Sequence, residues 1–205
     1  MLYKSPPFAV LSATIAVALA LGLSACGGET EASSEAMVSP PVSPTPTASP
    51  SPTDPAAAAK EKNVADAELR YSEFRDISDR YAKKGESPFW ELMNNGYLGN
   101  ADIQASQQSF WDQFTELKLK QTGQASVASV EVTDYEGDPL DESVQGHRVH
   151  LIICTDNSGK DVVRPNGTSA LKKGDSRRIE MGVVMQGQSS GVWSVVETAS
   201  TGKDC

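Results

Sequence analysis

The sequence predicts an α+β domain, with helices first and a curved antiparallel sheet after them. Three observations predict it. Apolar residues recur at spacings of three and four from Val64 to Leu117, then at a spacing of two after Thr122-Gly123. The strand-like runs are joined by short links such as Asp156-Asn157-Ser158-Gly159 and Gln188-Ser189-Ser190-Gly191, which favour antiparallel pairing. The stretch showing these periods, residues 56–205, is about 150 residues long, enough for one core rather than two.

The chain ahead of that domain reads as export and tethering. Residues 1–7 carry one positive charge, Lys4, and residues 8–23 are apolar apart from Ser12, Thr14 and Gly22. A charged start, an apolar run and a small-residue end make a secretory signal, assigned to residues 1–25. As a helix the apolar run spans about 24 Å, short of a ~30 Å hydrocarbon core. Leu23-Ser24-Ala25-Cys26 resembles a bacterial lipobox. That resemblance implies cleavage before Cys26 and a diacylglyceryl group on its sulfur. Acyl chains bind the bilayer at ~0.8 kcal/mol per buried CH₂. The protein is then expected on the extracytoplasmic face of the cell membrane, held by its lipid anchor. The alternative is ordinary cleavage after Ala25, leaving Cys26 free. Residues 26–55 form a Pro/Ser/Thr-rich disordered tether, with proline at Pro40, Pro41, Pro44, Pro46, Pro50 and Pro52. Such a run has little apolar surface to bury and favours extended polyproline conformations.

The formal net charge of −9 and pI near 4.7 argue against a nucleic-acid partner. The only basic cluster, Lys172, Lys173, Arg177 and Arg178 around Gly174, reads as a solvated hairpin. Of three cysteines, Cys26 belongs to the anchor. Cys154 and Cys205 remain in an exported chain, where disulfides persist, and are expected to pair. The alternative is two free thiols, with Cys154 a small buried residue.

Asp54 caps a long first helix with Pro55 at its first position. Val64, Ala67, Tyr71, Phe74, Ile77 and Tyr81 form its apolar stripe, and Gly85 ends it after Lys83 and Lys84. A short second helix carries Phe89, Trp90, Leu92 and Met93 and stops at Asn94-Asn95-Gly96. The third runs over residues 102–120 with Ile103, Phe110, Trp111, Phe114 and Leu117. Strands follow at 125–135, 148–155, 177–186 and 192–198, with a short edge at 161–164. The strand at 148–155 has two apolar faces, Val149, Leu151 and Ile153 on one, His150, Ile152 and Cys154 on the other, so it is expected to be central and covered on both sides. His147, beside Gly146, is placed on the surface, and Asp76 and Asp79 are expected to be solvated.

Together the helix from Tyr71 to Tyr81, the valine-rich strands and the ending Gly191-Val192-Trp193-Ser194-Val195 resemble the NTF2-like cone fold. The strand from Val149 to Asp156 and the terminal Cys205 resemble secreted actinobacterial lipoproteins that carry such a domain. The resemblance implies a concave pocket, with Tyr71, Phe74, Trp90, Phe110, Trp111, His150 and Trp193 as candidates to line it. No catalytic set can be placed residue by residue, no cofactor is implied, and two histidines with a committed cysteine pair do not make a metal cluster. The leading expectation is a non-enzymatic surface lipoprotein that binds a small apolar ligand or an envelope protein. A cone-fold isomerase or hydrolase would instead need an interior carboxylate or His150 with a strongly shifted pKa. A structural accessory subunit of an envelope complex would show an exposed apolar patch and no cavity. Nothing in the residues decides an oligomeric state.

Overall fold

The structure is a computed structural model that describes residues 54–205 apart from 175. The expected signal, the lipidation site Cys26 and all but the last two residues of the tether lie outside the described residues.

Helix α1 spans Pro55–Lys84. The Asp54 carboxylate accepts a hydrogen bond from the Ala56 amide at 3.0 Å, and Pro55 opens the helix without needing an amide donor. Gly85 closes it in the left-handed region, where its amide donates to the Ala82 carbonyl at 3.1 Å. Helix α2 spans Phe89–Asn94, and α3 spans Ala101–Glu116 behind an Asn100 cap whose side chain accepts from the Ile103 amide. Helix α3 is shorter than the periodicity predicts. Lys118 turns left-handed at φ 49°, and the next residues become a strand that sequence periodicity did not reveal, β1 at Lys120–Gly123.

The remaining strands are β2 (Ser126–Glu136), β3 (Arg148–Asp156), β4 (Lys160–Val163), β5 (Arg178–Gly187) and β6 (Trp193–Ser200). The pairings between these strands are antiparallel, and Leu98 adds an isolated parallel bridge to Val195. The class is α+β, but the expected cone is not formed. The strands make two open sheets rather than one curved sheet: β1 pairs with β4 as a separate ribbon, and the main sheet runs in the order β2-β3-β5-β6. Strand β2 is exposed along nearly its whole length, on both faces, so among the described residues nothing closes over that end of the sheet. At the other end the chain at 97–99 covers β6: Val195 donates to the Tyr97 carbonyl and Gly99 donates back to Val195, both at 2.8 Å. Alternation in a sequence identifies strands; it does not say which edges join, and here β1 leaves α3 toward β4 instead.

The core lies between α1, α2 and one face of the main sheet. Ala67, Tyr71, Phe74 and Leu92 meet Val149, Leu151, Ile153, Val183 and Met185 there. A smaller cluster of Ala82, Trp111 and Phe114 packs against Leu119 and Val162 of the ribbon side. As expected, β3 is central. Its Val149–Leu151–Ile153 face is fully buried, whereas on the other face Cys154 is buried but His150 and Ile152 are only half-buried.

Candidate functional site

Between the two apolar clusters a cleft of about 420 Å³ opens among α1, α3, the β1–β4 ribbon and the ends of β3 and β5. Phe74 on α1 and Phe110, Trp111 and Phe114 on α3 form aromatic walls, with Ile179 and Met181 of β5 completing the apolar lining. The three aromatics of α3 pack edge-to-face or tilted, with ring centroids 5.0–6.1 Å apart, an arrangement that fixes their orientation. A second hollow continues past Tyr71 and Arg75 toward the start of β2.

The polar groups of the cleft come from α1 and the strands facing it. Arg75 Nη1 donates to Thr155 Oγ1 at 2.9 Å. Burial pushes the Tyr71 hydroxyl above its ordinary pKa, while the neighbouring Arg75 pulls it back. Burial likewise holds the Lys160 ammonium below the usual lysine range; Asp79 opposes that shift and Arg75 adds to it. The Asp79 carboxylate accepts from the Gln121 side-chain amide and pairs with Lys83 at 2.8 Å. Asp76, expected to be solvated, is exposed at the rim; Asp79, also expected to be solvated, is only half-buried and lines the cleft.

The candidate pocket residues separate. Tyr71, Phe74, Phe110 and Trp111 come together on this cleft. Trp90 does not: it is 70% exposed on α2, on the side opposite buried Leu92. Trp193 is buried in the main core and borders a different hollow beside Asn63. His150 lies off the cleft, half-buried, with Nε2 2.9 Å from Glu136 Oε1. Asp134 joins this pair, and the three side chains place ligand atoms within 4.8 Å of one another where β2 pairs with β3, a grouping that sequence spacing did not reveal.

Cys154 and Cys205 form the disulfide, with Cα atoms 5.8 Å apart. The chain at 201–203 runs beside β5, where Thr201 donates to the Glu180 carbonyl and Glu180 to that of Lys203, so the bridge pins the C-terminus across the sheet.

Two polar residues of the core were also not foreseen. His147, expected on the surface, is 4% exposed, and its Nδ1 lies 2.9 Å from the Tyr135 hydroxyl. Asn63 Nδ2 donates to that same hydroxyl at 2.8 Å. The signal was available: His147 is two residues before Val149 and continues its face, and Asn63 precedes Ala67 by one helical turn.

No family model and no curated protein matches this sequence. Among solved structures, the intermembrane space region of the chloroplast protein ARC6 is similar over 63% of this chain and 94% of that chain, at 12% identity and a TM-score of 0.37. A likeness of that strength assigns neither a fold nor a function.

Proposed function

We propose that this chain is a lipid-anchored extracytoplasmic lipoprotein whose folded domain is a non-enzymatic binding module for a small apolar ligand. The observation that carries the reading is the cleft, where Tyr71, Phe74, Phe110, Trp111 and Phe114 converge on one opening of about 420 Å³. That volume falls within the ~300–1,000 Å³ typical of small-molecule sites, which combine apolar walls with a few placed polar groups. A purely structural accessory subunit would have no use for such an opening. The enzyme reading needs an interior carboxylate or His150; His150 stands outside the cleft, and the Asp79 carboxylate that lines it is tied to Lys83 and Gln121. The export signal and the lipobox at residues 23–26 support the anchor.

Two measurements test the reading. Mass spectrometry of protein from its native host is expected to find a processed N-terminus with diacylglyceryl-modified Cys26; a free thiol there removes the anchor. Uptake of the neutral fluorophore N-phenylnaphthylamine is expected to raise its emission and to be lost on Trp111→Asp. Absence of uptake by the wild-type chain would sink the binding role.

A further inference from the structure

The charged lining of the cleft is balanced, two cations against two carboxylates, in a chain that is acidic overall. The protein carries a formal net charge of −9, yet two cations, Arg75 and Lys160, line this opening. Among the described residues neither makes an ion pair: Arg75 meets the neutral hydroxyls of Thr155, at 2.9 Å, and Tyr71, and Lys160 Nζ donates to no described group. Two carboxylates, Asp76 and Asp79, line the same opening, and Asp79 lies near enough to favour the charged form of Lys160 without pairing with it. Asp79 is already paired with Lys83 and held by Gln121, and Asp76 stands exposed at the rim. Half-buried cations with no ion-pair partner are costly, and a carboxylate that reaches them gains charge-assisted hydrogen bonds in a site partly shielded from water. Beside them the walls are aromatic and aliphatic.

We propose that the ligand is a monomeric amphiphilic carboxylate, with its apolar body along Phe74, Phe110, Trp111 and Phe114 and its carboxylate held by Arg75 and Lys160. This assignment rests on reading the cleft as a binding site and names the class of molecule that fits it. Arg75 suits the role because its guanidinium can offer two parallel donors to one carboxylate, and Lys160 adds a compact point charge from the opposite side, on β4.

The test uses the whole mature chain, residues 26–205, with Cys26→Ser so that no acyl chain or detergent competes. N-phenylnaphthylamine is bound first and then displaced by dodecanoate, methyl dodecanoate or dodecyltrimethylammonium. Dodecanoate is expected to displace the probe at a concentration on the order of tenfold below that of the methyl ester, with the cationic amphiphile weakest. Arg75→Gln and Lys160→Gln should each erase most of that preference, read as the ratio of ester to acid midpoints in whatever probe uptake the variant has. Equal displacement by acid and ester overturns the proposal and leaves the apolar binding role standing; so does a preference for dodecanoate that survives in the Arg75→Gln/Lys160→Gln double variant. No probe uptake at all overturns both readings. The comparison of acid with ester is made on the unaltered cleft, so it holds even where a variant fails to fold. A further arm adds phosphatidylglycerol vesicles: binding of the protein to them that dodecanoate does not compete away would assign the two cations to a membrane surface and overturn the proposal.

Discussion

Leu151 is 2% exposed and packs on the central strand among Val149, Ile153 and Met185. Close-packed interiors do not refill when a side chain is truncated, so Leu151→Ala should lower stability by roughly 2–5 kcal/mol. The check is a drop in denaturant midpoint without a change in slope. Trp90 makes the contrast. It is far larger, but at 70% exposure Trp90→Ala should move stability by no more than about 0.5 kcal/mol. Residue size and apolarity marked both as core material. What separates them is direction: Leu92 and Trp90 sit on opposite sides of a helix with only one covered face. Tyr135 belongs to the same scale. Its hydroxyl is shared by Asn63 and His147, so Tyr135→Phe leaves two buried polar groups without that partner and should cost about 1–3 kcal/mol.

Between elements, two junctions are specific enough to test. The first joins α1 to α2, where Glu91 accepts from the Tyr81 hydroxyl and from Arg80, each at 2.6 Å. The hydrogen bond from Tyr81, with help from Arg80, holds the Glu91 carboxyl below its ordinary pKa, and the same bond raises that of Tyr81. A carboxylate depressed in the folded state binds fewer protons there than in the unfolded chain. Its stabilisation is therefore present above the ordinary glutamate pKa and is lost as pH falls through the folded value. Thermal unfolding of the wild type and of Glu91→Gln should differ at neutral pH and converge under acid. A gap that stays constant with pH would contradict the assignment. The second junction is the β1–β4 ribbon. Gly123 lies at φ 68°, and a methyl group built there would fall on the Gly159 carbonyl oxygen. Gly146 has a similar φ of 81° with open space around it. Gly146→Ala should cost on the order of 1 kcal/mol from backbone strain alone, whereas Gly123→Ala must also push the ribbon apart and should cost clearly more. Midpoints of the two variants, measured side by side, decide it.

At the scale of the whole domain, the disulfide spans 51 residues and joins the last residue to the central strand. A loop of that length restricts the unfolded chain by about 4 kcal/mol in the chain-entropy model. Cys205→Ser should therefore lower stability by roughly that amount, and reduction of the wild type should give the same loss. Two cysteines left over once Cys26 is assigned to a lipobox-like motif are enough to suggest this bond, and it was legible for that reason. The helices were legible too, because Asp54-Pro55 and Gly85 are local signals whose physics involves only neighbouring residues. Part of the cleft was readable as well: Tyr71 and Phe74 lie on the α1 stripe, and Phe110 and Trp111 lie together on α3. Its cations were not, since Arg75 and Lys160 are 85 positions apart and only the pairing of β4 with β1 brings them to one opening. The same holds for Asp134 and Glu136 beside His150, joined by the β2–β3 register. Short-range chemistry, in caps, periodicity and cysteine count, is carried by the local sequence and can be read along the chain. Which strand edges join, which helix face is covered and which charges are left without partners depend on contacts between distant segments; those contacts made two open sheets with a charged, aromatic cleft beside them where local pattern had pointed to a cone.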